Sequence, residues 1–192
     1  MSIKNYQYPE NRRYKNEDRA LFQKPADELA KWLLGKIICR YFKEGDFVIK
    51  GRIVETEAYL EKDPDCDAKR LTTKISQLED GGTLYVCMRN RWLSWDIVAN
   101  TTGVGEGVLI KRIDCYIPTS HPMYAMDIDE KFDGVDLLNS KEIWLEDDGV
   151  KVKSIKKPRI NTKTDAPLRF IATGLTFSET WLNEIDYKRQ KN

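Results

Sequence analysis

Histidine, paired cysteines, long apolar runs and an excess of either charge are all scarce in this sequence, and each absence removes a class of function. Of the 192 residues only His121 is histidine, which excludes any mechanism or metal site that needs two imidazoles. Followed by Pro122 in a loop, it is expected at the surface. The four cysteines, Cys39, Cys66, Cys87 and Cys115, form no CxxC pair, so no zinc knuckle is expected. They are too widely spread for a disulfide scaffold, and free thiols in a reducing compartment are the expectation. No apolar run approaches the roughly 18–20 residues that span a bilayer. Residues 1–15 are polar and lack the apolar stretch of a signal peptide. A cytoplasmic protein without membrane contact is therefore expected, associated with the nucleoid if the source is bacterial. With 32 Lys and Arg against 31 Asp and Glu, the formal net charge is +1, so any nucleic-acid footprint must be a local patch.

What is present fits one domain with a sizeable core: 41% of residues are hydrophobic and 33% charged, with no internal repeat and no linker. Residues 1–24 are polar and are expected to form a mobile arm, ordered only where it docks. Residues 25–34 predict a helix. Pro25 suits its start, Asp27 and Glu28 favour its positive end, and Leu29, Trp32 and Leu33 share one face, with Gly35 as the stop. Strands are predicted at 36–42, 47–60, 83–88, 92–100, 108–115 and 168–173, with a short extended piece at 142–146. Residues 61–80 read as a loop with one helical turn, and 119–141 as irregular. Strands dominate, with helices at the ends and in connections. The expected class is α+β: a single domain over 25–192 built on a curved, mostly antiparallel sheet, with peripheral helices and a protruding hairpin.

Four features carry potential chemistry. In residues 51–60 (GRIVETEAYL), strand alternation places Ile53, Glu55, Glu57 and Tyr59 on one face. Two like charges so close disfavour joint ionisation, and a carboxylate beside an aromatic suits a general base. A solvated strand face opposite Lys or Arg is the plainer alternative. Arg89, Asn90, Arg91 and Trp92 read as a hairpin tip whose cations and indole suit phosphate contact and base stacking; packing of Trp92 on the core is the alternative. Lys151, Lys153, Lys156, Lys157 and Arg159 form either a phosphate-binding stripe or a solvated loop. Lys111 and Arg112 face opposite ways in a strand, so only one can enter a given site.

Taken together, these segments resemble the alkyladenine (3-methyladenine) DNA glycosylases. The likeness runs in order from Leu29-Ala30 and residues 33–36, through GRIVETEAYL, Gly82-Thr83-Leu84-Tyr85-Val86 and residues 105–110, to residues 133–137, 143–146, 158–160 and 167–170. No single piece is decisive, but eight in register are hard to obtain by chance. The resemblance implies a hydrolase that removes damaged purines flipped out of double-stranded DNA, without metal or organic cofactor and acting as a monomer. It implies that Glu57 activates the water attacking the sugar C1′, that Tyr59 stacks on the flipped base, and that the main chain at Ala172 holds the water. It also implies hydrolysis alone, leaving an abasic site.

The departures from the family pattern concern the base pocket. Asp67 stands where the family has a histidine, Cys87 replaces a stacking tyrosine, and Asn90 replaces the tyrosine that wedges into the duplex. The base-recognising asparagine falls near Asp96 or Ile97, and the arginine beside the water becomes Lys111. The extra carboxylate of Asp67 is expected to attract cationic purines. With the wedge tyrosine gone, Arg89, Arg91 and Trp92 are expected to contact DNA in its place. Two other readings remain open on the same residues: a DNA-binding protein without catalysis, and a glycosylase for a bulkier base in a pocket widened at Cys87.

Overall fold

The period-two pattern of residues 47–59 gives the longest strand, and the sheet is built around it. The computed structural model describes residues 11–69, 74–89, 92–115, 121–175 and 186–187. In chain order these form β1 (Arg12–Arg13), α1 (Ala26–Leu33), β2 (Ile37–Phe42), β3 (Phe47–Tyr59), β4 (Leu84–Arg89), β5 (Trp92–Ala99) and β6 (Glu106–Cys115). Then follow α2 (Pro122–Met126), β7 (Ile143–Asp147), β8 (Lys153–Lys157), β9 (Arg169–Thr173) and β10 (Asp186–Tyr187). Every pairing among the described residues is antiparallel; the main path runs β1-β7-β2-β3-β6-β5-β4, with β8 and β9 joined to β3 as a branch. The class is α+β, as the alternation predicts.

β3 changes partner along one edge. Residues 47–52 pair with β2, and residues 55–57 pair with β9, while β6 runs along the opposite edge from Gly51 to Tyr59. At the hand-over the β3–β6 register slips twice, between Ile53 and Glu55 and again between Glu55 and Thr56. Such bulges rotate side chains out of strict alternation. Ile53 therefore joins the same apolar core as Ala58 instead of sharing the face of Glu55, Glu57 and Tyr59 that simple alternation assigns it.

α1 covers the core face with Ala26, Leu29, Ala30 and Leu33, and Thr56 Oγ1 donates to its Ala30 carbonyl at 2.9 Å. Pro25 occupies the cap position and offers no side-chain acceptor, so the free N–H of Ala26 donates instead to Glu106 Oε2 on β6 at 2.8 Å. Glu106→Ala is expected to lower stability by about 1–2 kcal/mol in urea unfolding, as the loss of a cap does. Glu106→Gln, which keeps an acceptor, should lose less than half as much, and equal losses would refute the capping role.

Residues 11–24 dock against β7 and α1. β1 pairs with β7, the Tyr14 N–H donates to the Leu145 carbonyl, and the buried rings of Tyr14 and Phe22 pack on Trp32 at 5.2 and 5.3 Å. Two aromatics in a polar stretch supply the apolar area that holds it. Residues 1–10 lie outside the described residues. β8 and α2 appear where loops were expected: β8 is lysine-rich and takes its form from pairing with β9. All four cysteines are free thiols. Among the described residues no helix is long and apolar enough to cross a membrane.

Candidate active site

One residue beyond core-facing Thr56, the side chain of Glu57 points to the opposite face of β3, into a cleft of about 660 Å³. That lies within the roughly 300–1,000 Å³ typical of small-molecule sites. Glu57 and Tyr59 of β3, Leu109 and Lys111 of β6, Ser94 and Trp92 of β5 and Arg89 of β4 make its floor. His121 and Tyr124 at α2, Asp65, and residues 160–162 after β8 make its walls.

Glu57 is 1% exposed and surrounded by donors. The Tyr59 hydroxyl donates to Oε2 at 3.1 Å, the Ile160 N–H donates to Oε1 at 3.3 Å, and Lys111 Nζ lies 3.7 Å from Oε1. Burial, and then the charges of Glu57 and Asp96, push the Tyr59 phenol far above its usual range, so it stays a donor. Lys111 owes its direction to the second register slip, which leaves it unmatched on β6 and turns it into the cleft. Arg112 is exposed, so of the two neighbouring cations only Lys111 enters. Glu55 has a cation of its own, Arg169 Nε at 2.7 Å. The two glutamates thus face separate cations, Arg169 and Lys111.

The other expected site residues are placed differently. The Arg89 guanidinium forks onto Asp96 at 2.7 and 2.6 Å, and its Nε donates to Asp67 at 2.8 Å. Arg89 is therefore turned inward, bound to two buried carboxylates, rather than presented to a phosphate. Asp67 is 5% exposed and is not among the residues lining the cleft, and its charge faces Arg89 instead of an incoming base. Cys87 sits beneath, with Sγ 3.6 Å from Asp67 Oδ2, and burial pushes its thiol up to about 12. It is not among the residues lining the cleft. Ala172 lies opposite Ser154, and the residue opposite Glu57 on β9 is Arg169. Three residues along a strand is about 10 Å, so Ala172 is not the β9 residue facing Glu57 in the ladder. The ring of Tyr59 is 8% exposed, with the guanidinium of Arg159 at 4.6 Å and that of Arg89 at 5.5 Å from its centre. Asn90 and Arg91 lie outside the described residues.

Trp92 is 59% exposed at the cleft mouth, where its ring is 6.4 Å from His121, itself 5.0 Å from Tyr124. His121 was expected at the surface and is instead a half-buried part of the wall. Burial and then the charge of Lys111 lower its pKa, so it is neutral at pH 7. Arg159, read from sequence as part of a phosphate stripe, has a fully buried side chain that donates to the Ala58 carbonyl at 2.9 Å and pairs with Asp63 at 2.5 Å. That anchor holds residues 160–162 over Glu57. Nothing in the local sequence separates Arg159 from the exposed lysines before it.

The methylpurine-DNA glycosylase family model matches residues 20–123, more than half of the chain. The chain belongs to the methylpurine-DNA glycosylase family. A relative from Herpetosiphon aurantiacus is 30% identical over 176 residues, covering 74% of this chain and 79% of its own. One from Mesorhizobium japonicum is 29% identical over 174 residues, covering 78% and 83%. One from Synechococcus sp. is 38% identical over 97 residues, and there the match spans about half of each protein, 48% and 49%. All three carry the name "Putative 3-methyladenine DNA glycosylase". In this glycosylase-family chain the matched segment includes Glu57, Tyr59, Arg89, Trp92, Lys111 and His121, whereas Arg159, the wall at 160–162 and Ala172 fall beyond it.

Proposed function

We propose that this cleft hydrolyses the bond between a damaged purine and its sugar after the nucleotide has been flipped out of double-stranded DNA, an opening step of base-excision repair. The observation that carries the reading is Glu57: a buried carboxylate at the floor of a cleft, held from several sides. Glu57 accepts a proton from a water placed on the outer side of its carboxylate, and the water attacks C1′ as the glycosidic bond breaks. The same negative charge stabilises the oxocarbenium that develops at C1′. Tyr59 and the Ile160 N–H fix the carboxylate's direction, and Lys111 sits where it orients the water or the sugar oxygens.

The groups around the cleft also favour a substrate class. With its pKa lowered, His121 is a weak proton donor at pH 7, as is the raised-pKa phenol of Tyr59, so neither readily protonates a departing base. An alkylated, cationic purine leaves without that help. The bias toward cationic lesions expected from Asp67 is thereby retained for a different reason.

With Tyr59 flanked by two guanidinium groups, the rim of Trp92, His121 and Tyr124 is the aromatic surface open to a base among the described residues. Trp92→Ala and Tyr124→Ala should each weaken binding of a lesion-bearing duplex by about 1–3 kcal/mol relative to undamaged duplex, the worth of one stacked base. Both side chains are largely exposed, so thermal stability should not change. Equal weakening of damaged and undamaged duplex, in fluorescence anisotropy, would rule out base stacking at the rim.

The deciding experiment is base release. Methylated duplex DNA is incubated with the protein and free bases are identified by mass spectrometry. Release of methylpurines supports the reading; tight duplex binding without release would favour a DNA-binding protein on a glycosylase scaffold.

A further inference from the structure

An abasic site is the product of the proposed reaction, and it is chemically reactive: its sugar opens to an aldehyde at C1′. Among the described residues lining the cleft, Lys111 supplies the only primary amine. Its Nζ is 3.7 Å from the carboxylate that must face C1′ if Glu57 activates water, and its side chain is 33% exposed and so reachable. A counter-ion alone would be better served by arginine, whose fork matches a carboxylate and which cannot form an imine. Arg89, the other Lys or Arg among the described lining residues, is committed to Asp96 and Asp67.

We propose that Lys111 gives this cleft a second activity, cleavage of the DNA strand at an abasic site through an imine on its Nζ. The inference rests on the reading that places C1′ beside Glu57, and it departs from the hydrolysis-only behaviour that the resemblance implies. Nζ adds to the C1′ aldehyde as Glu57 accepts a proton from the amine, and loss of the C1′ oxygen as water leaves the imine. The protonated imine acidifies the C2′ hydrogen. Glu57, having passed its first proton to the departing water, takes that hydrogen as a proton. The electron pair forms a C2′–C3′ double bond while the C3′–O bond breaks and the 3′ phosphate departs. Water then hydrolyses the imine, releasing an unsaturated aldehyde on the cut strand and restoring Lys111, and Glu57 gives up the C2′ proton to the solvent. No oxidant or reductant enters.

The test uses duplex DNA in which a single uracil has been removed beforehand by a uracil-DNA glycosylase. Full-length protein is added with sodium borohydride, which reduces the imine to a stable bond. A covalent protein–DNA adduct that maps to Lys111 by peptide mass spectrometry is expected, with strand nicking when borohydride is omitted. Lys111→Arg, checked for folding by circular dichroism and for binding to the same duplex, should lose both adduct and nicking. Glu57→Gln should form the trapped adduct more slowly and nick more slowly still, because Glu57 serves both imine formation and the elimination. An adduct that persists in Lys111→Arg, or that maps elsewhere, overturns the assignment, as does wild-type protein that binds the abasic duplex without trapping. Because the substrate carries no damaged base, the two readings separate: methylpurine release without an adduct sinks this inference alone, and an adduct without methylpurine release sinks the glycosylase reading alone. Failure to bind the abasic duplex counts against both.

Discussion

Glu57→Gln is expected to cut methylpurine release by about 10²–10⁴-fold, the usual contribution of a positioned general base, while leaving duplex affinity nearly unchanged. The substitution suits the question because it removes the base without removing the acceptor. A glutamine oxygen in the place of Oε1 or Oε2 still receives the Ile160 N–H or the Tyr59 hydroxyl, so the residues over the cleft stay where they are. A loss in rate therefore reports on the chemistry rather than on the fold. Single-turnover release from methylated duplex, with binding measured in parallel, checks it. Undiminished release would assign activation of the water to another group and remove the observation on which the functional reading rests.

Arg89→Ala is expected to destabilise the protein by about 3–5 kcal/mol, because a buried ion pair broken from one side leaves an uncompensated charge. Here it would leave two, since Asp96 is 1% and Asp67 5% exposed. For a chain of this size that corresponds to a fall in Tm of roughly 6–20 °C in thermal unfolding. Adding Asp96→Asn should recover part of the loss, because the amide carries no charge to strand. The salt dependence of duplex binding should not change. The opposite result, an unchanged Tm with a shallower salt slope, would return Arg89 to the phosphate-contacting role that its place beside the hairpin turn suggests.

Arg89 also shows where reading the sequence works and where it stops. Strand positions, the helix at α1 and the face shared by Glu55, Glu57 and Tyr59 follow from local spacing, and local spacing survives folding. The partners of a charged residue do not. Arg89 next to a turn and Arg159 at the end of a basic run look like surface cations, yet the carboxylates that claim them are fixed by tertiary contact. Arg159 meets Asp63 from far along the chain, while Arg89 meets Asp96 across a hairpin and Asp67 from a preceding loop. Lys111 faces Glu57 because of a register slip, and two residues per turn of the pleat gives no hint of one. Ala172 lies three positions from the residue opposite Glu57 for the same kind of reason: the β3–β9 register is set by pairing. The rim of Trp92, His121 and Tyr124 joins a hairpin to a short helix that has no periodic signature of its own.

The change of partner along β3 has a consequence for how the protein is made. The strand that carries Glu57 leaves the ribosome early, but Arg169 of β9, whose side chain bonds Glu55, lies 114 positions later. Chains emerge at roughly 5–20 residues per second, so for several seconds this edge of β3 is open in a nascent chain that already contains β2 and the glutamate. Such long-range pairing forms slowly. The carboxylate is thus present well before its roof: Ile160, Arg159 and β9 arrive together as one late segment, and the cleft is complete only when that segment closes over it.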